Sequence, residues 1–93
     1  MALFITRVEL HDATWQDYDS LHQAMKARNF NRAVQATDGT WYALPTAEYY
    51  ATGDVTAEYV RDAAQAAAVS TGKRHSIVVS EASKILWLGL ARA

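Results

Sequence analysis

The chain has 93 residues, of which 51% are hydrophobic and 20% charged, so we expect one globular domain over residues 1–93. Nine basic and ten acidic residues give a formal net charge of −1, which argues against strong binding to duplex DNA because proteins that bind its backbone are usually basic. The lack of cysteine excludes disulfides and thiolate metal sites, and with no apolar run near membrane-spanning length it predicts a cytoplasmic protein without membrane association.

A strand and a helix are predicted first. Residues 3–10, "LFITRVEL", are rich in β-branched and aromatic residues, which is typical of a strand. Residues 14–29 predict a helix, because Thr14 with Asp17 three positions later resembles a capping box. Large side chains then recur at helical spacing and are expected to form one apolar stripe, namely Trp15, Tyr18, Leu21, His22 and Met25.

A hairpin is predicted over residues 30–45. Asp38-Gly39 is a strong turn signal between two strand-like segments. The strand after this turn is expected to end or bulge at Pro45, because proline lacks the amide hydrogen that a β-ladder needs. Residues 46–54 are then expected to lead the chain to a second helix.

That second helix is predicted over residues 56–72, with Thr56 as its N-cap and Gly72 just past its end. Residues 74–82 predict the last strand, and residues 84–93 are an apolar tail. Left in water, such a tail would favour aggregation. It is therefore expected to cover a sheet face or to add a fifth strand, either within its own chain or exchanged within a homodimer.

The order of these elements is β-α-β-β-α-β plus the tail, which is the ferredoxin-like pattern of an α+β protein. The fold predicted from it is an antiparallel sheet with the spatial strand order 4-1-3-2. Two helices would cover one face of this sheet. The order also decides which loops meet at each end of the domain, and so where candidate sites lie.

One end of the predicted sheet joins the end of the first strand to the start of the last. His11 and Asp12 would lie there beside Lys73, Arg74 and His75, a set suited to a phosphate. The Asp12 carboxylate is also a candidate ligand for a hard cation such as Mg²⁺. The plain alternative is that Asp12 starts the helix and the histidines are exposed without a role.

The opposite end of the predicted sheet gathers cations and aromatic rings. Arg28 and Arg32 would contact RNA phosphates there, and Tyr49 and Tyr50 would stack on bases. The alternative for each ring is packing against the helices with only its polar tip in water. His22, on the apolar stripe, is expected to be a hydrogen-bonded packing residue rather than a ligand.

Two stretches of the sequence, "FITRVELHDATWQDYDSLHQAMKARNF" and "TDGTWYALPTAEYY", resemble the small bacterial proteins grouped with the GhoS antitoxin of type V toxin–antitoxin systems. The resemblance covers most of the chain, from the first strand through the second helix. It implies a ferredoxin-like fold similar to the small endonuclease subunit of CRISPR adaptation complexes. It also implies a cytoplasmic, dimeric antitoxin, an endoribonuclease that cleaves a toxin messenger RNA.

The resemblance carries over one residue, because Asp12 stands where the CRISPR relatives have a metal-binding carboxylate at the end of the first strand. In this hypothesis Asp12, Lys73, Arg74 and His75 are catalytic, and Mg²⁺ is a candidate cofactor. The competing hypothesis is a non-catalytic, dimeric binding module that acts through protein or ligand contacts. The missing basic stripe favours this second hypothesis.

Overall fold

The computed structural model describes residues 2–93 and is an α+β protein. Its two helices are α1 (Trp15–Lys26) and α2 (Ala57–Val69). Its strands are β1 (Ala2–Leu10), β2 (Ala33–Gln35), β3 (Trp41–Ala43), β4 (Glu48–Gly53) and β5 (His75–Ala82). In the described residues, neither helix combines the length and the apolar character that crossing a bilayer requires.

The main sheet is antiparallel and has three strands in the order β4-β1-β5. This differs from the predicted order 4-1-3-2, because the neighbour of β1 is β4 and not the strand that follows the Asp38-Gly39 turn. The register pairs Arg7 with Glu48 and Ala2 with Gly53. Residues 48–53 were predicted to be a connection, and their pairing with β1 makes them a strand.

The predicted hairpin is present as a separate two-stranded sheet of β2 and β3. Its turn is closed by Asp38, whose Oδ1 accepts from the Thr40 amide at 2.9 Å, and by Gly39, which has a φ of 90° that favours glycine. β3 ends before Pro45, as predicted. One isolated bridge between Asn31 and Tyr50 connects the start of the hairpin to β4.

Both helices begin where their caps predict. The Thr14 hydroxyl accepts from the Asp17 amide, and the Asp17 carboxylate accepts from the Thr14 amide at 2.9 Å. This last bond is the main reason why the pKa of Asp17 lies below its ordinary value. At the second helix, the Thr56 hydroxyl accepts from the Tyr59 amide at 3.0 Å. Each cap satisfies an amide that the first turn leaves without a helical partner.

The core lies between the two helices and one face of the sheet. Phe4 and Val8 point from β1 toward the helices and are fully buried, as are Leu21 of α1 and Ala64 of α2. The small alanine side chains let α2 lie close to β1 and β5. The apolar stripe predicted on α1 is wrong at Trp15, because 76% of the surface of this residue is exposed.

The apolar tail folds back onto the hairpin of its own chain. The Ala43 amide donates to the carbonyl of Ala91 at 2.8 Å, and the Ala93 amide donates to that of Trp41 at 3.0 Å. The rings of Tyr42 and Trp87 lie 5.8 Å apart. The tail thus contributes a bridge beside β3, between Tyr42 and Arg92.

Candidate functional site

The end of β1 and the start of β5 bring together the residues of the first predicted site. Leu10 pairs with His75 in the sheet, and the His11 amide donates to the carbonyl of Arg74 at 2.8 Å. These two contacts place the loop after β1 beside the loop before β5. We call His11, Asp12, Lys73 and Arg74 the loop cluster. In the described residues, no hydrogen bond or ion pair joins it to the Asp38-Gly39 turn.

The charged side chains of the loop cluster form a network in which Arg74 and Asp12 are exposed and Lys73 is half-buried. The Arg74 guanidinium lies 3.5 Å from the Asp12 carboxylate, and both side chains are more than four-fifths exposed. Lys73 donates from Nζ to the Asp12 carbonyl at 3.1 Å and lies 3.7 Å from Asp17 Oδ2. Ion pairs in water contribute at most about 1 kcal/mol. A phosphate can therefore compete with Asp12 for Arg74 at little cost.

The backbone of Asp12 fixes the shape of this loop. Its φ is 53°, in the left-handed region that aspartate tolerates better than most residues because its short side chain is polar. The helix cap is Thr14 and not Asp12. Asp12 therefore turns the chain between β1 and α1, and its carboxylate stays exposed.

The two histidines at this end lie on opposite faces of the sheet. His11 hydrogen-bonds through Nε2 to Ser76 Oγ at 2.9 Å, on the face away from the helices. His75 has the same strand parity as the core-packed Ile77 and lines a groove against α2. The predicted catalytic set is therefore divided, because His75 does not share a face with His11. Ser76 was not among the predicted site residues, although strand alternation is the signal that separates it from His75.

The residues around Asp12 do not suit the predicted Mg²⁺. The Asp17 carboxylate, at the start of α1, is held by the Thr14 amide and hydroxyl and lies beside Lys73. Two cations thus stand next to the carboxylates that a hard divalent cation would need. Within residues 2–93, no three side chains of the metal-binding types converge on one point. The donor set fits an anion better than a cation.

At the second predicted site, Tyr49 is a core residue. Its ring is fully buried and lies edge-on to Phe30 at 6.4 Å. Its hydroxyl forms a 2.5 Å hydrogen bond with His22 Nδ1, and burial raises the pKa of the phenol. Tyr49 therefore presents no face on which a base can stack, whereas His22 is the hydrogen-bonded packing residue that the sequence predicted.

The other members of the second predicted site are separated from one another. Arg32 lines a cavity of about 290 Å³ with Lys26 and His22. Arg28 lines a different one, of about 190 Å³, beside α2. Tyr50 lies on the face of the sheet away from the helices, in a third cavity that the tail and hairpin border. The predicted RNA-binding set is thus spread over three surfaces, so these four residues do not form one site.

His22 is expected to make the stability of the fold fall in weak acid. Burial, with the nearby Arg32 guanidinium, holds its pKa below its ordinary value, against the opposing effect of Asp19. The unfolded chain therefore takes up a proton more readily than the folded one below about pH 6.5. The stability that neutral His22 contributes is complete above that pH and is lost as the pH falls toward the folded pKa.

Urea unfolding midpoints at about pH 8 and about pH 5.5 measure this effect. We expect the midpoint of His22→Gln to depend less on pH than that of the wild type. An unchanged slope in His22→Gln would assign the pH dependence to other groups.

No protein-family model matches this chain, and no curated protein matches it with significant similarity. The chemistry of the loop cluster therefore rests on its own geometry. That geometry provides two cations beside the Asp12 carboxylate and carbonyl. The same loop pair holds the His11 imidazole, which bonds the Ser76 hydroxyl. Such a set can bind a phosphodiester and move a proton beside it.

Proposed function

We propose that this protein is a GhoS-like antitoxin, an endoribonuclease that cleaves single-stranded messenger RNA at the loop cluster. The observation that carries the proposal is the convergence of His11, Asp12, Lys73 and Arg74 where β1 ends and β5 begins. Proton transfer and phosphate binding are the two needs of RNA cleavage, and the side chains for both stand here within one loop pair. The resemblance of the sequence to that family supports the same activity.

The residues have separate roles in this proposal. In the tautomer in which His11 Nε2 donates to Ser76, Nδ1 carries the lone pair and takes the proton of the ribose 2′-hydroxyl. The 2′-oxygen then attacks the phosphorus, the bond to the 5′-oxygen breaks, and that oxygen takes a proton from water. Lys73 and Arg74 hold the charge that develops on the phosphate. Asp12 keeps Arg74 in place until the substrate displaces it.

The finer fold assignment belongs to the same proposal. The bridge from Asn31 to Tyr50 sets the start of the hairpin segment beside β4, on the side away from β1. If the segment around residue 31 is counted as a strand, the spatial order is β5, β1, β4 and then this segment. That order supports a ferredoxin-like sheet to which the β2–β3 hairpin is added. In that arrangement the first and last strands are neighbours, and the loop cluster forms between them.

The chemistry is tested with an unstructured, end-labelled RNA and the wild-type protein in excess EDTA. We expect cleavage that leaves 2′,3′-cyclic phosphate ends, because the nucleophile is the neighbouring 2′-hydroxyl. A DNA strand of the same sequence is the matched control and should stay intact, since it lacks that hydroxyl. Cleavage of the DNA, or of the RNA only when Mg²⁺ is supplied, would contradict this mechanism.

A second candidate function is RNA binding without cleavage. The separation of His75 from His11 favours it, because the two imidazoles lie on opposite faces of the sheet and the leaving oxygen would have no second acid. It predicts that the same RNA binds with an affinity that falls as salt rises, and that no strand is cut. Binding with intact RNA after prolonged incubation would select this function over the endoribonuclease.

A further inference from the structure

The outer edge of β5 is open. Hydrogen-bonded pairs alternate along an antiparallel ladder, and the His11 amide bonds the carbonyl of Arg74. By that alternation, Ser76, Val78 and Ser80 direct their amides and carbonyls toward β1. The odd-numbered residues of β5 direct theirs outward, and no backbone partner meets them within residues 2–93. The opposite edge of the sheet is different, because the bridge to Asn31 covers part of β4.

Nothing in the centre of this edge discourages pairing. Exposed edge strands usually carry proline, a bulge or an inward charge that blocks another strand. The middle of β5 reads "SIVVS", without charge or proline, and Val78 is 62% exposed. The tail leaves this edge free, because it crosses to β3 and bonds there.

The sequence of β5 is complementary to itself in one antiparallel register. With Val78 opposite Val78 of a second copy, the outward backbone groups of Ile77 meet those of Val79, and those of His75 meet those of Glu81. Apolar side chains then face apolar ones. At each end of the paired strands, a histidine faces a carboxylate.

We propose that the partner of this edge is a second copy of the chain. Two β5 strands pair antiparallel about a twofold axis at Val78 and join two three-stranded sheets into one of six strands. This dimer is isologous, as most small homodimers are. It differs from the exchange of residues 84–93, because each tail stays on its own hairpin. Each loop cluster then lies at an end of the paired strands, because Arg74 directly precedes His75.

Single cysteines test the register, since the chain has none of its own. Val78→Cys places two thiols opposite each other in a non-hydrogen-bonded pair, with Cα atoms about 4.5 Å apart, which a disulfide can bridge. Ser76→Cys is the matched control on the same strand and face. Its two thiols would be offset by four residues, about 13 Å, which is too far.

Mild oxidation followed by a non-reducing gel should show a covalent dimer for Val78→Cys and little for Ser76→Cys. Equal cross-linking of the two, or preferred cross-linking of Ser76→Cys, would overturn the register. Sedimentation tests the dimer itself without a new thiol. Val78→Lys should raise the dimer dissociation constant by about tenfold or more, and Val78→Thr should leave it close to wild type. A wild type that stays monomeric at high concentration would overturn the proposal.

Discussion

Replacing Phe4 with alanine is expected to lower the free energy of unfolding by about 3–5 kcal/mol. The side chain is fully buried on the core face of β1, among the residues that α1 and α2 contribute to the core. Its loss removes the transfer free energy of the ring and leaves a cavity that the neighbours fill only in part. For a domain of this size, the loss is a large share of a total stability of about 5–15 kcal/mol.

Trp15→Ala is the matched control. It removes a larger ring, but one that is 76% exposed on the first turn of α1. Its effect on the free energy of unfolding should stay within about 0.5 kcal/mol. Urea unfolding followed by circular dichroism measures both variants. Equal losses in the two would show that the core is not where the structure places it.

The comparison of these two rings shows which parts of the fold the sequence determines locally. The helices were predicted to within three residues at each end, because caps such as Thr14 and Thr56 act on amides of the same turn. The direction of Trp15 was predicted less well. Helical spacing identifies a stripe, but which end of the stripe is covered depends on the elements packed against it.

The strand order depended on contacts that are distant in sequence. Residues 48–53 follow Pro45 and end at Gly53, just before Asp54, so they have the local features of a connection. They form β4 because β1 offers a free edge to them. β3, the strand after the Asp38-Gly39 turn, pairs with β2 instead, and the tail hydrogen-bonds to its other edge. Local sequence predicts strands and turns, whereas strand partners follow from the whole fold.

The same distinction applies to the candidate site. The meeting of Asp12 with Lys73 and Arg74 was predicted, because it follows from the adjacency of the first and last strands. The placement of His11 and His75 on opposite faces of the sheet was not predicted, although both lie at the same end. One residue of offset across an antiparallel pair turns a side chain to the other face, so the register decides which histidine belongs to the site.

His11→Ala is expected to lower the rate constant for RNA cleavage by about 10²–10⁴-fold, the usual contribution of a general base. Binding of the same RNA should change little, because Lys73 and Arg74 hold the phosphate. The residual rate then reports charge stabilisation without proton transfer. Single-turnover cleavage measures the rate constant, and a filter-binding titration measures the affinity.

His75→Ala is the control that makes this prediction specific. It removes the same ring from the neighbouring position in space, but from the helix side of the sheet, where His75 lines the groove against α2. Its cleavage rate should stay within about twofold of wild type, since a group that does not face the phosphate supplies no proton to it. The cleavage rate of Ser76→Ala should lie between those of His11→Ala and His75→Ala, because this change frees the His11 ring without removing the base. A larger loss in His75→Ala than in His11→Ala would move the reaction to the other face of the sheet.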